Sequence, residues 1–151
     1  MQRYRRVLAF VTVAVDAPAV VSRAAQLARL HASELALAAV VDIVPGFECD
    51  RYPVVTGDEL RREIATDVRA RLERLLADAR GAGEILVACG EESEAVTHVL
   101  RSWRPDLVVV SRRADHGVTS HARAGHDVLA VGGDEHPGFA GRLMNALASM
   151  L

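Results

Sequence analysis

Short apolar runs alternate with longer amphipathic stretches along the chain. Val7 to Val15 reads VLAFVTVAV, a near-continuous apolar run that predicts a strand covered on both faces. Asp16 can cap the helix that follows, and Pro18 fits a first helical turn. Val20, Val21, Ala24, Leu27, Ala28 and Leu30 or His31 then mark one apolar side at helical spacing. Leu35 to Val41 is a second buried strand, with Asp42 at its end. Ile43 to Val55 is irregular, carrying Pro45, Gly46 and Pro53. Thr56 and Glu59 form a capping box, in which hydroxyl and carboxylate each satisfy a free N–H of the first turn. The helix it opens runs from about Gly57 to Arg80, with Leu60, Ile64, Val68, Leu72, Leu75 and Ala79 as its buried stripe. Asp58 and Glu59 in the first turn and Arg80 in the last suit the helix dipole, and Gly81 or Gly83 can end it.

Ile85 to Cys89 is a third, short strand closed by Gly90. A third helix starts at Glu92 or Ser93, buries Ala95, Val96, Val99, Leu100 and Trp103, and stops before Pro105. Leu107 to Val110 is a fourth strand and Val128 to Val131 a fifth. The polar stretch Arg112 to His126 between them has room for one short helix. Apolar strands between amphipathic helices mean an α/β fold: three layers, α/β/α, around a five-stranded, mostly parallel sheet. This domain spans 1–133. Residues 134–151 are a linker and an amphipathic helix, in which Phe139, Leu143, Leu147 and Met150 or Leu151 recur at helical spacing. Such a helix is marginal alone in water. It must dock on its own domain, on a second copy, or on another partner or a membrane surface.

Length changes this picture little: 151 residues suit one domain. The formal net charge of −2 gives no overall positive field, which argues against nucleic acid as a partner. Every Lys/Arg-type cation is an arginine, spread along the chain and marking no site. No apolar run reaches the roughly 18 residues of a membrane span, and the N-terminal stretch reads as a strand rather than a secretory leader. A cytoplasmic protein is the expectation. Cys89, at the end of an apolar strand, is expected to be a buried, inert thiol, while Cys49 lies in a loop. A disulfide between them is not expected.

Three stretches resemble the universal stress protein (UspA-like) family. They are RYRRVLAFV at Arg3 to Val11, LARLHASELALAAVVD at Leu27 to Asp42, and CGEESEAVTHVLRSWRPDLVVVS at Cys89 to Ser111. The resemblance implies a sheet order of 3-2-1-4-5 and a homodimer paired through the fifth strand. ATP-binding members of that family carry an Asp after the first strand and a G-x-x-G pattern, then G-[ST], after the fourth. Here the Asp position falls on Thr12, or on Asp16 if the turn is gapped. Ser111-Arg-Arg-Ala114 stands in place of G-x-x-G, and neither Gly117 nor Gly125 begins G-[ST]. The chain thus resembles a divergent member lacking the glycine motif. Glycine loops bind phosphate because missing side chains let successive N–H groups converge. Arg112, Arg113 and Ala114 do not offer that surface, and Asp115 repels a phosphate.

Ligands of open α/β sheets sit beyond the carboxyl ends of the strands, where strand order reverses. Thr12, Asp16, Val41, Asp42, Gly90, Ser111, Arg112 and Arg113 are the candidate crevice residues. Each has a plainer role: Thr12 a buried hydroxyl, Asp16 a helix cap, Arg112 and Arg113 solvated or ion-paired cations. His116, His121 and His126 recur at five-residue spacing, which turns about 140° per step on a helix and scatters the rings. They read as surface residues rather than metal ligands. Glu91, Glu92 and Glu94 read as dipole partners of a helix start rather than as an acid–base pair. No catalytic residue and no cofactor is assigned. The expected function is a non-catalytic, dimeric protein acting through the fifth-strand edge, the terminal helix and an unknown protein partner. The alternatives are a module for ATP, AMP or another anionic small molecule, and a nucleotide hydrolase.

Overall fold

The structure, a computed structural model, describes residues 3–11, 16–41, 57–113, 116–123 and 125–132. Five strands form the sheet: β1 (Arg6–Phe10), β2 (Glu34–Val41), β3 (Glu84–Cys89), β4 (Leu107–Ser111) and β5 (Asp127–Val131). Four helices connect them: α1 (Ala17–His31), α2 (Gly57–Asp78), α3 (Glu92–Trp103) and α4 (His116–Arg123). The order is β3-β2-β1-β4-β5, and every pairing is parallel.

Both faces of the sheet are covered, so strand residues alternate between two cores rather than between core and water. Val7, Ala9, Leu37 and Val109 face α1 and α2, packing on Val20, Val21, Leu72 and Leu76. Leu8, Phe10, Ala36, Val108 and Val110 face α3 and α4, packing on Val96, Val99, Trp103, Val118 and Ala122. The expected α3 stripe is the buried set without exception. On α2 the buried stripe lies nearer the C-terminal end than expected. Leu72 and Leu76 are buried, whereas Leu60 and Ile64 are half-buried.

Several boundaries shift from the sequence reading. β1 ends at Phe10, and Val13 to Val15 lie outside the described residues, as do Cys49, Thr56 of the capping box and residues 134–151. α2 ends at Asp78, so Arg80 is not in its last turn. Arg80 instead takes a left-handed φ of 53°, donating its N–H to Ala77 O while Gly81 N–H reaches Leu76 O. Cys89 is exposed, not buried. The reason is strand order: β3 is an edge strand, and its pattern is exposed at both ends and half-buried between.

The amino end of the sheet is held by two polar devices. One Asp106 carboxylate oxygen accepts from the backbone N–H groups of Arg5 at 2.7 Å and Arg6 at 2.9 Å, clipping the start of β1 to the approach to β4. The Arg6 guanidinium lies 4.2 Å from the centre of the Trp103 ring and pairs with Glu34 at 3.0 Å. α1 ends at Ala32, left-handed at φ 50°, with Ser33 N–H donating to Ala28 O at 2.8 Å. A β-carbon is disfavoured in that conformation. Ala32→Gly is therefore expected to stabilise the fold by about 1 kcal/mol, read as a higher urea midpoint at unchanged slope.

Candidate functional site

The strand order reverses between β1 and β4, so the crevice at the carboxyl ends of these strands is the place for a ligand. Among the described residues, that crevice holds a compact polar cluster. Asp16 stands at the N-cap position of α1, but its side chain makes no cap hydrogen bond. This corrects the expectation that it caps the helix. Its carboxylate turns inward, is 8% exposed, and accepts from the Ser111 hydroxyl at 2.8 Å. Ser111, the buried last residue of β4, accepts in turn from the Arg113 backbone N–H at 3.1 Å. The Arg113 side chain is exposed, its Nε 3.9 Å from the same Asp16 oxygen.

The end of β5 closes the cluster. Gly132 has φ +80°, and a β-carbon there would stand 3.0 Å from Asp16 Cγ. Only glycine suits both that conformation and that approach. The Arg112 N–H donates to Val131 O at 3.0 Å. The first two backbone amides after β4 are thus already committed, one to β5 and one to Ser111. A phosphate cradle needs such amides free and converging.

The other candidates separate. Val41 is buried at the end of β2, its carbonyl accepting from Gly90 N–H at 3.1 Å. Gly90 has φ +133° and is exposed. Arg112 is exposed and engaged in an interaction of its own. Thr12, Asp42, Ala114 and Asp115 lie outside the described residues.

Two hollows flank the sheet. One, of about 320 Å³, is mainly apolar and lined by Val11, Ala17, Ala39, Leu72, Leu75 and Val118, with Asp67, Arg71 and Glu92 as its charged lining. It lies at the carboxyl ends of β1 and β2. The other, of about 610 Å³, runs between the outer strand β3 and α3, lined by Leu86, Ala88, Cys89, His98, Ser102 and Trp103 among others. There Ser102 Oγ and His98 Nε2 are 3.5 Å apart, at the limit of a hydrogen bond. Among the described residues no carboxylate hydrogen-bonds His98, so nothing there activates the hydroxyl. Neither do three His, Cys, Asp or Glu side chains among them meet as a metal site. His126 Nδ1 lies 2.9 Å from Pro105 O, and His121 lies near Glu91.

Sequence reasoning placed three glutamates at the start of α3 but missed the role of the first. Glu91 is the cap: its carboxylate accepts from the N–H groups of Ser93 at 3.1 Å and Glu94 at 3.2 Å. These backbone hydrogen bonds hold its pKa below the ordinary glutamate value. The signal was present, since an acidic residue four positions before the first apolar stripe residue, Ala95, suits a cap, though Ser, Thr, Asp and Asn are the usual choices.

In sequence, no family model and no curated protein matches the chain. Solved structures do match. A universal stress protein in complex with cAMP is 18% identical, covers 87% of this chain and 99% of its own, and superposes with a TM-score of 0.64. The universal stress protein UspA from Lactobacillus plantarum is 17% identical, covering 87% of this chain and 100% of its own, with a TM-score of 0.65. A universal stress protein family protein from Arabidopsis thaliana, with AMP bound, is 13% identical, covers 89% and 97%, and has a TM-score of 0.58. The fold is the universal stress protein α/β fold, with the 3-2-1-4-5 sheet that the resemblance implied. At these identities the likeness is one of architecture.

Two outcomes follow from the site's geometry. Asp16→Ala and Ser111→Ala, combined in a double-mutant cycle, are expected to show a coupling of about 1–2 kcal/mol in urea unfolding. Glu91 has a depressed pKa in the folded state, so its contribution is present above the ordinary value of 4.5 and is lost as pH falls through the folded value. Glu91→Gln is expected to lower stability at neutral pH, and the gap from the native protein should close in acid.

Proposed function

We propose that this chain is a non-catalytic, universal-stress-like protein that works through self-association and protein contacts and does not hold ATP in the usual way. The observation that carries the reading is the Asp16–Ser111 hydrogen bond at the strand-order switch point. It fills the crevice with a carboxylate, and the neighbouring amides of Arg112 and Arg113 are already bonded. A triphosphate brought there meets an acid, and the two described amides that follow β4 are not free for it. Self-association is supported by the outer edge of β5. Residues 127, 129 and 131 bond toward β4, as the Arg112-to-Val131 contact fixes the alternation, so Val128 and Ala130 turn their backbone groups outward. A second copy's β5 can satisfy them in a two-fold pair.

A second reading has its own support. Solved neighbours of this fold carry cAMP or AMP. Arg112 and Arg113, exposed at the same end of the sheet, could meet an anion by charge instead of by backbone donors.

One experiment with two arms separates them. Light scattering of the full chain is expected to give a dimer mass, and Val128→Pro to give a monomer. That N–H faces outward, so proline there costs no internal ladder bond. Calorimetric titration with ATP, ADP and AMP is expected to give no heat at millimolar nucleotide. A native chain that is monomeric at micromolar concentration ends the association claim. Nucleotide heat that disappears in Arg112→Ala and Arg113→Ala installs the second reading.

A further inference from the structure

The sheet has two edges, and they are not equivalent. Gly90 N–H bonds inward to Val41 O, which fixes the alternation along β3. Ile85, Val87 and Cys89 therefore turn their backbone groups away from β2. Among the described residues no strand pairs with that side. Four consecutive apolar residues there, Ile85 to Ala88, are half-buried, beside the 610 Å³ hollow. Such an edge is a template for another strand.

One side chain obstructs it. Arg69, exposed on α2, donates from Nη1 to the outward Ile85 carbonyl at 3.2 Å. An incoming strand needs that acceptor, and seating on the edge would strip water from the guanidinium. At β5 the outward Val128 and Ala130 backbone groups have no side-chain donor among the described residues. We infer that Arg69 is an edge guard: it keeps β3 unpaired, so that association through β5 closes at two copies instead of running on from edge to edge. The proposed dimer sets only the size of the native particle in this inference. The guard itself rests on β3.

The test is sedimentation of the full-length native chain, Arg69→Ala and Arg69→Lys over a range of matched concentrations, with hydrogen exchange read at the Val87 and Cys89 amides. The alanine variant is expected to gain mass with concentration, by roughly two-fold or more over the native chain, as a second edge opens. Its Val87 and Cys89 amides should become slow to exchange in the larger species. Lysine keeps a charged donor and should sediment as the native chain does. Should the alanine variant fail to fold by circular dichroism, Arg69→Met keeps the aliphatic stem without the donors and takes its place. A donor-free variant that sediments like the native chain overturns the inference, and so does added mass without protection at Val87 and Cys89. A monomeric native chain sinks the β5 dimer alone, because the guard is read from the difference between variant and native.

Discussion

Asp16 turns its carboxylate away from the helix it precedes and into the gap between β1 and β4, where the Ser111 hydroxyl donates to it. Burying an acid is costly unless it is well bonded. Here the cost is offset by a hydroxyl donor and by Arg113 close by. In return, the start of α1, the end of β4 and the glycine after β5 are drawn to one point. That point is where an open parallel sheet usually offers its ligand site. Around the same point the Arg112 N–H is bonded to Val131 O and the Arg113 N–H to Ser111 Oγ.

Much of the fold was legible because the two cores read directly off the chain. A strand covered on both faces has no reason to alternate, and VLAF, LALAAVV and LVVV do not. The α3 stripe was read in full, since a short helix with one apolar side packs in one way. Less legible were the ends. Arg80 lies beyond α2 because the chain turns left-handed there, and an arginine gives no warning of it. On α2, Val68, Leu72, Leu75 and Ala79 of the expected stripe do pack on the core, and the addition is Leu76, buried more fully than its neighbour Leu75. Only the packing against α1 and β2 decides which of them points inward.

For the candidate crevice, which residues come together was legible, and how they bond was not. The switch point between β1 and β4 follows from the 3-2-1-4-5 order that the resemblance implies, and Asp16, Ser111 and Arg113 meet there, with the Arg112 N–H bonded to β5 beside them. What the sequence could not show was the partner of each group. An aspartate before a helix is read as a cap because that bond is local. The bond it makes instead spans 95 positions. The exposure of Cys89 escapes the sequence for a related reason. Its neighbours are apolar, but exposure depends on whether the strand has one flanking partner or two. Asp106, which clips β1 at the opposite end, gave no sign of that role either, since its partners lie about a hundred residues earlier.

Trp103 is the sole tryptophan, buried at the amino end of the sheet beneath the Arg6 guanidinium. The protein therefore carries a built-in optical reporter at one pole. Indole emission follows how dry the ring is and what charge lies over it. Separation of β1 from α3 would wet the ring and move its colour. Events confined to the far pole, around Asp16 and Ser111, leave that surrounding untouched. Fluorescence in this chain is thus a gauge of how tightly the layers are clasped, and it is blind to what the crevice holds.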